Sequence, residues 1–156
     1  MGFSHIDSNG NAVMVDVGEK EVTKRKAVAA GSICMSPECF ASVRDGTSKK
    51  GAVLSVARVA GIMAAKRTSD LIPLCHPLNP SKITVEFTLH PETCEVKTVC
   101  AVCCEAKTGA EMEALTGVTV ALLTVYDMCK AADRSMKINN IHLVEKTGGK
   151  SGHYKL

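Results

Sequence analysis

The chain has 156 residues, of which 46% are hydrophobic and 3% aromatic, and it carries a formal net charge of +3. That length predicts one domain over residues 1–156, with a single core built from aliphatic residues and cysteine. Lysines and arginines are scattered among acids, which argues against a protein that coats a polyanion. The same charge balance suits a few lysines that converge on a small phosphorylated ligand.

The sequence predicts no membrane segment and no secretion signal. No apolar run approaches the roughly 18 residues that span a bilayer, and the first residues lack a charged-then-apolar pattern. We therefore expect a cytoplasmic protein without a membrane partner. In a eukaryote, a mitochondrial matrix location would need a leader that this sequence lacks.

The eight cysteines are expected to be reduced, because a chain of this length and apolar content does not need a disulfide framework. Cys100 and Cys103 have the spacing of a zinc-binding pair. On a strand, however, they point to opposite faces, so we interpret them as small hydrophobic residues and predict no metal site.

The first half of the chain predicts an arm, a strand and two helices. Residues 1–24 are rich in turn formers and predict an extended arm. A Val- and Ala-rich run over 26–35 predicts a strand, and Ser36 followed by Pro37 predicts the start of a short helix. Apolar spacing then predicts a second helix over 53–68.

The second half predicts a hairpin, a long helix and a last strand. Three prolines within 71–80 predict a stiff, irregular loop. Alternating residues predict strands over 83–89 and 95–106, joined by a turn. A final strand is expected over 138–144, followed by a flexible glycine-rich tail over 147–156. Four strands with helices between them indicate an α+β fold, most simply a ferredoxin-like antiparallel sheet with helices on one face.

The longest periodic segment predicts a helix over about residues 110–134. Its expected buried stripe consists of Met112, Leu115, Val118, Leu122, Val125 and Cys129. Glu113 and Asp127 lie within about 40° of each other around the axis but about 21 Å apart along it. Either the ligand is long, or each end serves a different site that a neighbouring subunit completes, which is the hypothesis we prefer. The alternative is an ordinary core helix whose charged ends complement the macrodipole.

Three polar groups are candidates for chemistry. Cys75 and His76 lie between prolines, which can preorganise a ligand contact, although an incidental surface histidine is the alternative. Lys50 just before a helix can approach an anion, or it belongs to a solvated turn. Asp127 and Lys130 are adjacent on the helix and contribute little when exposed, whereas in a closed cleft they can act as base and acid.

Seven ordered blocks carry a resemblance to a known family. They are Ser4–Asp7 with Met14–Val17, Lys50–Gly51 with Ala57–Ile62, Ala64–Arg67, Leu71–Leu78, Lys107–Leu115, Tyr126–Lys130 and Lys146–Gly152. Together these blocks, which span nearly the whole chain, resemble the MoaC family of molybdenum cofactor biosynthesis proteins.

The resemblance implies a lyase that converts 3′,8-cyclo-7,8-dihydroguanosine triphosphate into cyclic pyranopterin monophosphate and releases pyrophosphate. This is an early step of molybdenum cofactor, or molybdopterin, biosynthesis. The resemblance also implies a homohexamer, a trimer of dimers with sites at subunit contacts, and a functional link to the radical SAM GTP cyclase that makes the substrate. It implies no obligatory cofactor and leaves open whether Mg²⁺ accompanies the triphosphate.

The resemblance also assigns roles to individual residues. It implies catalysis by Asp127, Lys50 and Lys130, with Asp127 as a base or orienting group and the lysines as acid and oxyanion stabiliser. The substrate-binding candidates are Leu74, Cys75, His76, Met112 and Glu113, with Glu111, Lys146 and Arg25 in second rank and the two basic residues assigned to the triphosphate. His153 stands where the family commonly has Asp, so no role is carried over to it.

Three other functions are alternatives. A phosphatase or nucleotide hydrolase that depends on metal ions would need clustered carboxylates, and here they are spread along the chain. A single-stranded nucleic-acid binder would need a platform of stacking aromatics, and the five aromatic residues do not form such a pattern, so no nucleic-acid partner is expected. A purely structural adaptor is the third alternative.

Overall fold

The computed structural model describes residues 4–47, 52–150 and 152–156, which form an α+β fold. Within these residues there are five strands and four helices. In chain order they are β1 (Thr23–Cys34), α1 (Pro37–Arg44), α2 (Val53–Ala65), α3 (Thr68–Leu71), β2 (Pro80–His90), β3 (Glu95–Ala106), α4 (Glu111–Cys129), β4 (Lys137–Thr147) and β5 (Tyr154–Lys155).

The strands form one antiparallel sheet in the order β2-β3-β1-β4-β5. The first four strands and the helices between them follow the βαββαβ arrangement of a ferredoxin-like fold, as predicted. The predicted hairpin is confirmed: β2 and β3 pair along their length, with Val85 opposite Cys100. The fifth strand, β5, was not predicted, and it pairs with β4 through Glu145 and Lys146.

One face of the sheet forms the core with the helices. On the central strand β1, Ala27, Ala29 and Ile33 are fully buried on the face towards the helices, and Ala30 and Ser32 on the opposite face are only 2% and 4% exposed. The neighbouring Cys100 and Val102 on β3 are also buried on the face towards the helices.

Helix α4 is the main packing element of this core, but it is shorter than predicted. Val118, Leu122 and Val125 are fully buried as expected, whereas Met112 is partly exposed and does not belong to the buried stripe. The helix ends at Cys129 because the following backbone turns: the amides of Ala132 and Asp133 both donate to the carbonyl of Cys129. By length and composition α4 could cross a membrane, but half of its most apolar window is buried inside the protein, as in a core helix.

Two glycines allow α2, α4 and β3 to approach one another closely. A Cβ added to Gly61 on α2 would lie 2.8 Å from the carbonyl oxygen of Gly117 on α4. A Cβ added to Gly117 would lie 2.7 Å from Sγ of Cys100 on β3. Any side chain at these positions would therefore push the layers apart.

We expect Gly117→Ala to lower the free energy of unfolding by about 1–3 kcal/mol, because overpacking a filled core forces the backbone to shift. Urea unfolding at a fixed protein concentration measures the change. In the matched double variant, Cys100→Ala removes the sulfur that the new methyl group meets, so Gly117→Ala should be less destabilising in that background. An equal effect of Gly117→Ala in both backgrounds would contradict this packing account.

Candidate active site

The proline-rich loop between α3 and β2 places three predicted residues beside the start of α4. The loop begins with a turn in which the Cys75 amide donates to the carbonyl of Ile72 at 3.1 Å. Leu74, Cys75 and His76 are half-buried there, against residues that precede α4. Pro73 and Pro77 flank this segment and restrict its backbone, so the loop holds its side chains in fixed positions.

These residues line a cavity with a volume of about 270 Å³. Its walls come from three segments that are distant in sequence: the N-terminal arm, the proline-rich loop and the first turn of α4. They contribute Ser4, His5, Val15, Val17, Lys20, Leu74, Cys75, His76, Thr108, Gly109, Glu111, Met112 and Glu113. We call this space the Glu113 cavity. It brings together six of the predicted site residues.

Glu113 is the most unusual group in the cavity, because its side chain is a carboxyl group in a residue that is only 4% exposed. Burial, together with the nearby charge of Glu111, raises the pKa of Glu113 above its usual range. Burial and the neighbouring Glu113 also raise the pKa of the Cys75 thiol. In both groups burial therefore disfavours the charged form relative to a free side chain.

A second, larger cleft of about 970 Å³ adjoins the Glu113 cavity and is lined by cations. Its basic residues are Lys20, Arg25, Lys107, Lys146 and Lys150. Glu19, Glu21 and Glu111 are the acidic residues of its lining. We call this space the basic cleft, because several lysines and an arginine around one space suit a polyphosphate.

Arg25 is held in the basic cleft by two backbone carbonyls. Its Nε donates to the carbonyl oxygen of Ala106 at 2.9 Å, and its Nη2 donates to that of Lys107 at 3.1 Å. Both carbonyls lie at the end of β3, just before the segment that leads into α4. The guanidinium group is thus oriented by the same chain segment that forms the wall of both spaces.

Glu111 connects the two spaces, because it lines both of them. Its Oε1 lies 3.1 Å from Nζ of Lys146, and both side chains are about one-quarter exposed. The pair positions a lysine of the basic cleft beside the mouth of the Glu113 cavity. A ligand with an uncharged ring and an anionic tail could therefore extend from one space into the other.

The remaining predicted residues lie elsewhere. Asp127 and Lys130 form an ion pair at the far end of α4, with Nζ 2.6 Å from Oδ1, and their side chains are 63% and 54% exposed. Neither lines the Glu113 cavity or the basic cleft, and about 21 Å along the helix separates Asp127 from Glu113. Lys50 lies outside the residues that the structure describes.

Several lining residues were not among the candidates from sequence. Lys107 and Lys150 border glycine-containing turns, which was a usable signal, because such turns expose neighbouring side chains to ligands. His5 and Lys20 lie on the N-terminal arm, and nothing in their local sequence pattern predicts that the arm packs beside α4. The eight cysteines are free thiols. In the part of the chain that the structure describes, no three His, Cys, Asp or Glu side chains are arranged to hold a metal ion.

Comparison with known proteins agrees with the resemblance seen in the sequence. A profile of the MoaC family matches residues 14–149. A protein of Clostridium botulinum named cyclic pyranopterin monophosphate synthase is 57% identical over 152 residues, which cover 97% of this chain and 96% of that protein. Proteins of the same name from Chloroflexus aurantiacus and Heliobacterium modesticaldum are 55% and 58% identical, over 98% and 97% of this chain and 94% and 96% of their own lengths. The chain therefore belongs to the MoaC family.

Proposed function

We propose that this protein converts 3′,8-cyclo-7,8-dihydroguanosine triphosphate into cyclic pyranopterin monophosphate with release of pyrophosphate. It is then a lyase of molybdenum cofactor biosynthesis. The names of its relatives support the activity. The assignment of the site rests on the junction at Glu111, where the cavity that holds the buried Glu113 opens beside a cleft lined by cations.

The two spaces match the two halves of the proposed substrate. The fused ring system is largely uncharged and presents amide and amine groups, which can hydrogen-bond to the half-buried His76 and the buried Glu113. The triphosphate is strongly anionic and suits Arg25, Lys107 and Lys146. Glu111 competes with the phosphates for Lys146. When the triphosphate binds, Lys146 therefore exchanges the Glu111 carboxylate for a phosphate group.

The chemistry requires proton transfers and stabilisation of a leaving anion. Opening the purine ring and closing the new ring need a donor and an acceptor for protons, and we propose that the buried carboxyl group of Glu113 takes part in these transfers. Closure of the cyclic phosphate expels pyrophosphate, and cations that face the leaving oxygens lower the barrier. We propose this role for Arg25 and Lys146, with Lys50 and Lys130 as further acid and oxyanion groups.

We further propose that the site is completed by a second subunit of a homohexamer arranged as a trimer of dimers. Asp127 and Lys130 are remote from the Glu113 cavity within one chain, yet both belong to blocks that resemble the family. The outer surface of α2 exposes Val56, Val59 and Met63, which are 48%, 57% and 50% exposed and form an apolar stripe of helical spacing. Such a stripe suits a protein contact.

The proposal also places the protein in the cytoplasm, downstream of a radical SAM GTP cyclase that supplies the cyclised substrate. The substrate arrives as a small molecule. No obligatory cofactor is proposed, and a magnesium ion that accompanied the triphosphate would be bound as part of the substrate.

The test is incubation of the purified protein with the cyclised dihydro-GTP, following pyrophosphate release and the fluorescent oxidation product of the pterin. The proposal predicts equal amounts of both products and their loss in the Lys50→Ala variant. Inorganic phosphate without pterin would instead indicate a hydrolase. The absence of any product would indicate a binding module and would contradict the proposal.

A further inference from the structure

The basic cleft has an unexplained feature at its C-terminal wall, where two successive glycines, Gly148 and Gly149, adopt positive φ angles of +95° and +74°. They lie between Lys146 and Lys150, and all of these residues except Gly148 line the cleft. The two glycines have different surroundings. A Cβ added to Gly148 would lie 2.2 Å from the backbone carbonyl oxygen of Lys24, so a side chain there would displace the strand itself.

Gly149 faces the guanidinium group of Arg25 instead of a backbone. A Cβ added there would lie 2.2 Å from Nη1, 2.9 Å from Cζ and 3.1 Å from Nη2. Two of the three nitrogens of Arg25 already donate to the carbonyls of Ala106 and Lys107. The group is therefore enclosed between the end of β3 and the backbone of Gly149, and it occupies the space that any other residue at position 149 would fill.

From this geometry we infer that Gly149 is a positioning residue for polyphosphate binding: its missing side chain holds open the place of the Arg25 guanidinium in the basic cleft. The inference rests on the proposed function only in naming a triphosphate as the ligand. A methyl group at position 149 would push the flexible end of Arg25 away from its two carbonyl partners. The cation would then no longer point in a fixed direction at the phosphates, which weakens charge-assisted hydrogen bonds.

The chain contains a matched control for the backbone effect of such a substitution. Gly152 lies in the same C-terminal segment with a similar φ of +65°, but a Cβ added to it meets no atom within 4 Å. Gly149→Ala and Gly152→Ala therefore impose similar strain on the backbone. Only the first of them contacts Arg25.

The experiment measures the binding of inorganic tripolyphosphate by calorimetry to the full-length protein and to these variants. We expect Gly149→Ala to weaken binding about 10- to 100-fold, the range for losing a hydrogen bond to a charged group, while Gly152→Ala leaves affinity unchanged. In an Arg25→Ala background, Gly149→Ala should have no further effect, because its target has been removed. Equal affinities of the two glycine variants, or an undiminished effect in the Arg25→Ala background, would overturn the inference, as would a wild type that does not bind tripolyphosphate.

Turnover of the cyclised dihydro-GTP by the same proteins separates this inference from the proposed function. We expect Gly149→Ala to raise KM more than it lowers kcat, because its effect is on binding of the phosphates. If the wild type makes pterin but Gly149→Ala leaves KM unchanged, the inference is wrong and the proposed function stands. A wild type that makes no pterin, with tripolyphosphate binding as described, would remove the function and leave the inference standing.

Discussion

Replacing Glu113 with Gln is expected to lower the rate of pterin formation by about 10²- to 10⁴-fold, the usual contribution of a positioned acid or base. Glutamine keeps the size of the side chain and its hydrogen-bonding capacity but cannot transfer a proton. The Glu113 cavity should therefore still bind substrate, and the loss should be in kcat. Steady-state kinetics with the cyclised substrate measures it, and a variant with the rate of the wild type would exclude Glu113 from proton transfer.

The same replacement is expected to raise the thermal stability at neutral pH. Burial raises the pKa of Glu113 above the value of 4.5 that a free side chain has. The folded state therefore retains this proton at a pH where the unfolded chain has lost it, so stability falls as pH rises through that window and stays lower above it. Glutamine has no such proton to lose, so it avoids this loss of stability. Each kcal/mol regained in the free energy of unfolding should raise Tm by roughly 2–4 °C.

Thermal melts at one protein concentration between pH 4 and pH 8 check this expectation. The gain in Tm from Glu113→Gln should be present at pH 8 and should shrink towards pH 4, where both states of the wild type hold the proton. Glu111→Gln is the matched control: Glu111 is partly exposed and paired with Lys146 at 3.1 Å, so the gain from removing its repulsion of Glu113 should be smaller than the gain from Glu113→Gln. A pH-independent difference between wild type and Glu113→Gln would contradict the burial account.

Replacing Asp127 with Asn is expected to reduce turnover by about 10²- to 10⁴-fold although Asp127 lines neither space. Its side chain is 63% exposed in the single chain, so the free energy of unfolding should change by no more than about 0.5 kcal/mol. Normal turnover in this variant would show that the far end of α4 has no catalytic role.

The parts of the fold that depend on local pattern were predictable from the sequence. Alternating residues in β2 and β3 predicted the hairpin, and Ser36 with Pro37 predicted the start of α1, where the Ser36 hydroxyl accepts from the amide of Cys39. The end of α4 was predicted five residues too late. Apolar residues continue beyond Cys129, but the carboxylate of Asp133 accepts hydrogen bonds from Ser36 and Ser135, and these stabilise a turn in place of another helical turn.

Features that depend on distant contacts were not predictable in the same way. The two-residue strand β5 exists because β4 offers it a free edge, and no pattern within two residues can show this. The Glu113 cavity is formed together with the arm and the proline-rich loop, which lie far from Glu113 in sequence. The resemblance to the family implies that Glu113 and its neighbours bind substrate, which stays a prediction. It did not show that Lys107, Lys150 and Arg25 surround one cleft, because only the folded chain brings these three together.

The proposed active site is composite: the Glu113 cavity comes from one subunit and Asp127 from another. Co-refolding equal amounts of the Glu113→Gln and Asp127→Asn chains, with mixed oligomers verified by native mass spectrometry, tests this directly. Each variant alone should be inactive. Random mixing leaves about one-quarter of the shared sites with both native groups. The mixture should therefore regain about one-quarter of the wild-type rate of pterin and pyrophosphate formation. A verified mixed oligomer no more active than its parents would contradict the composite site.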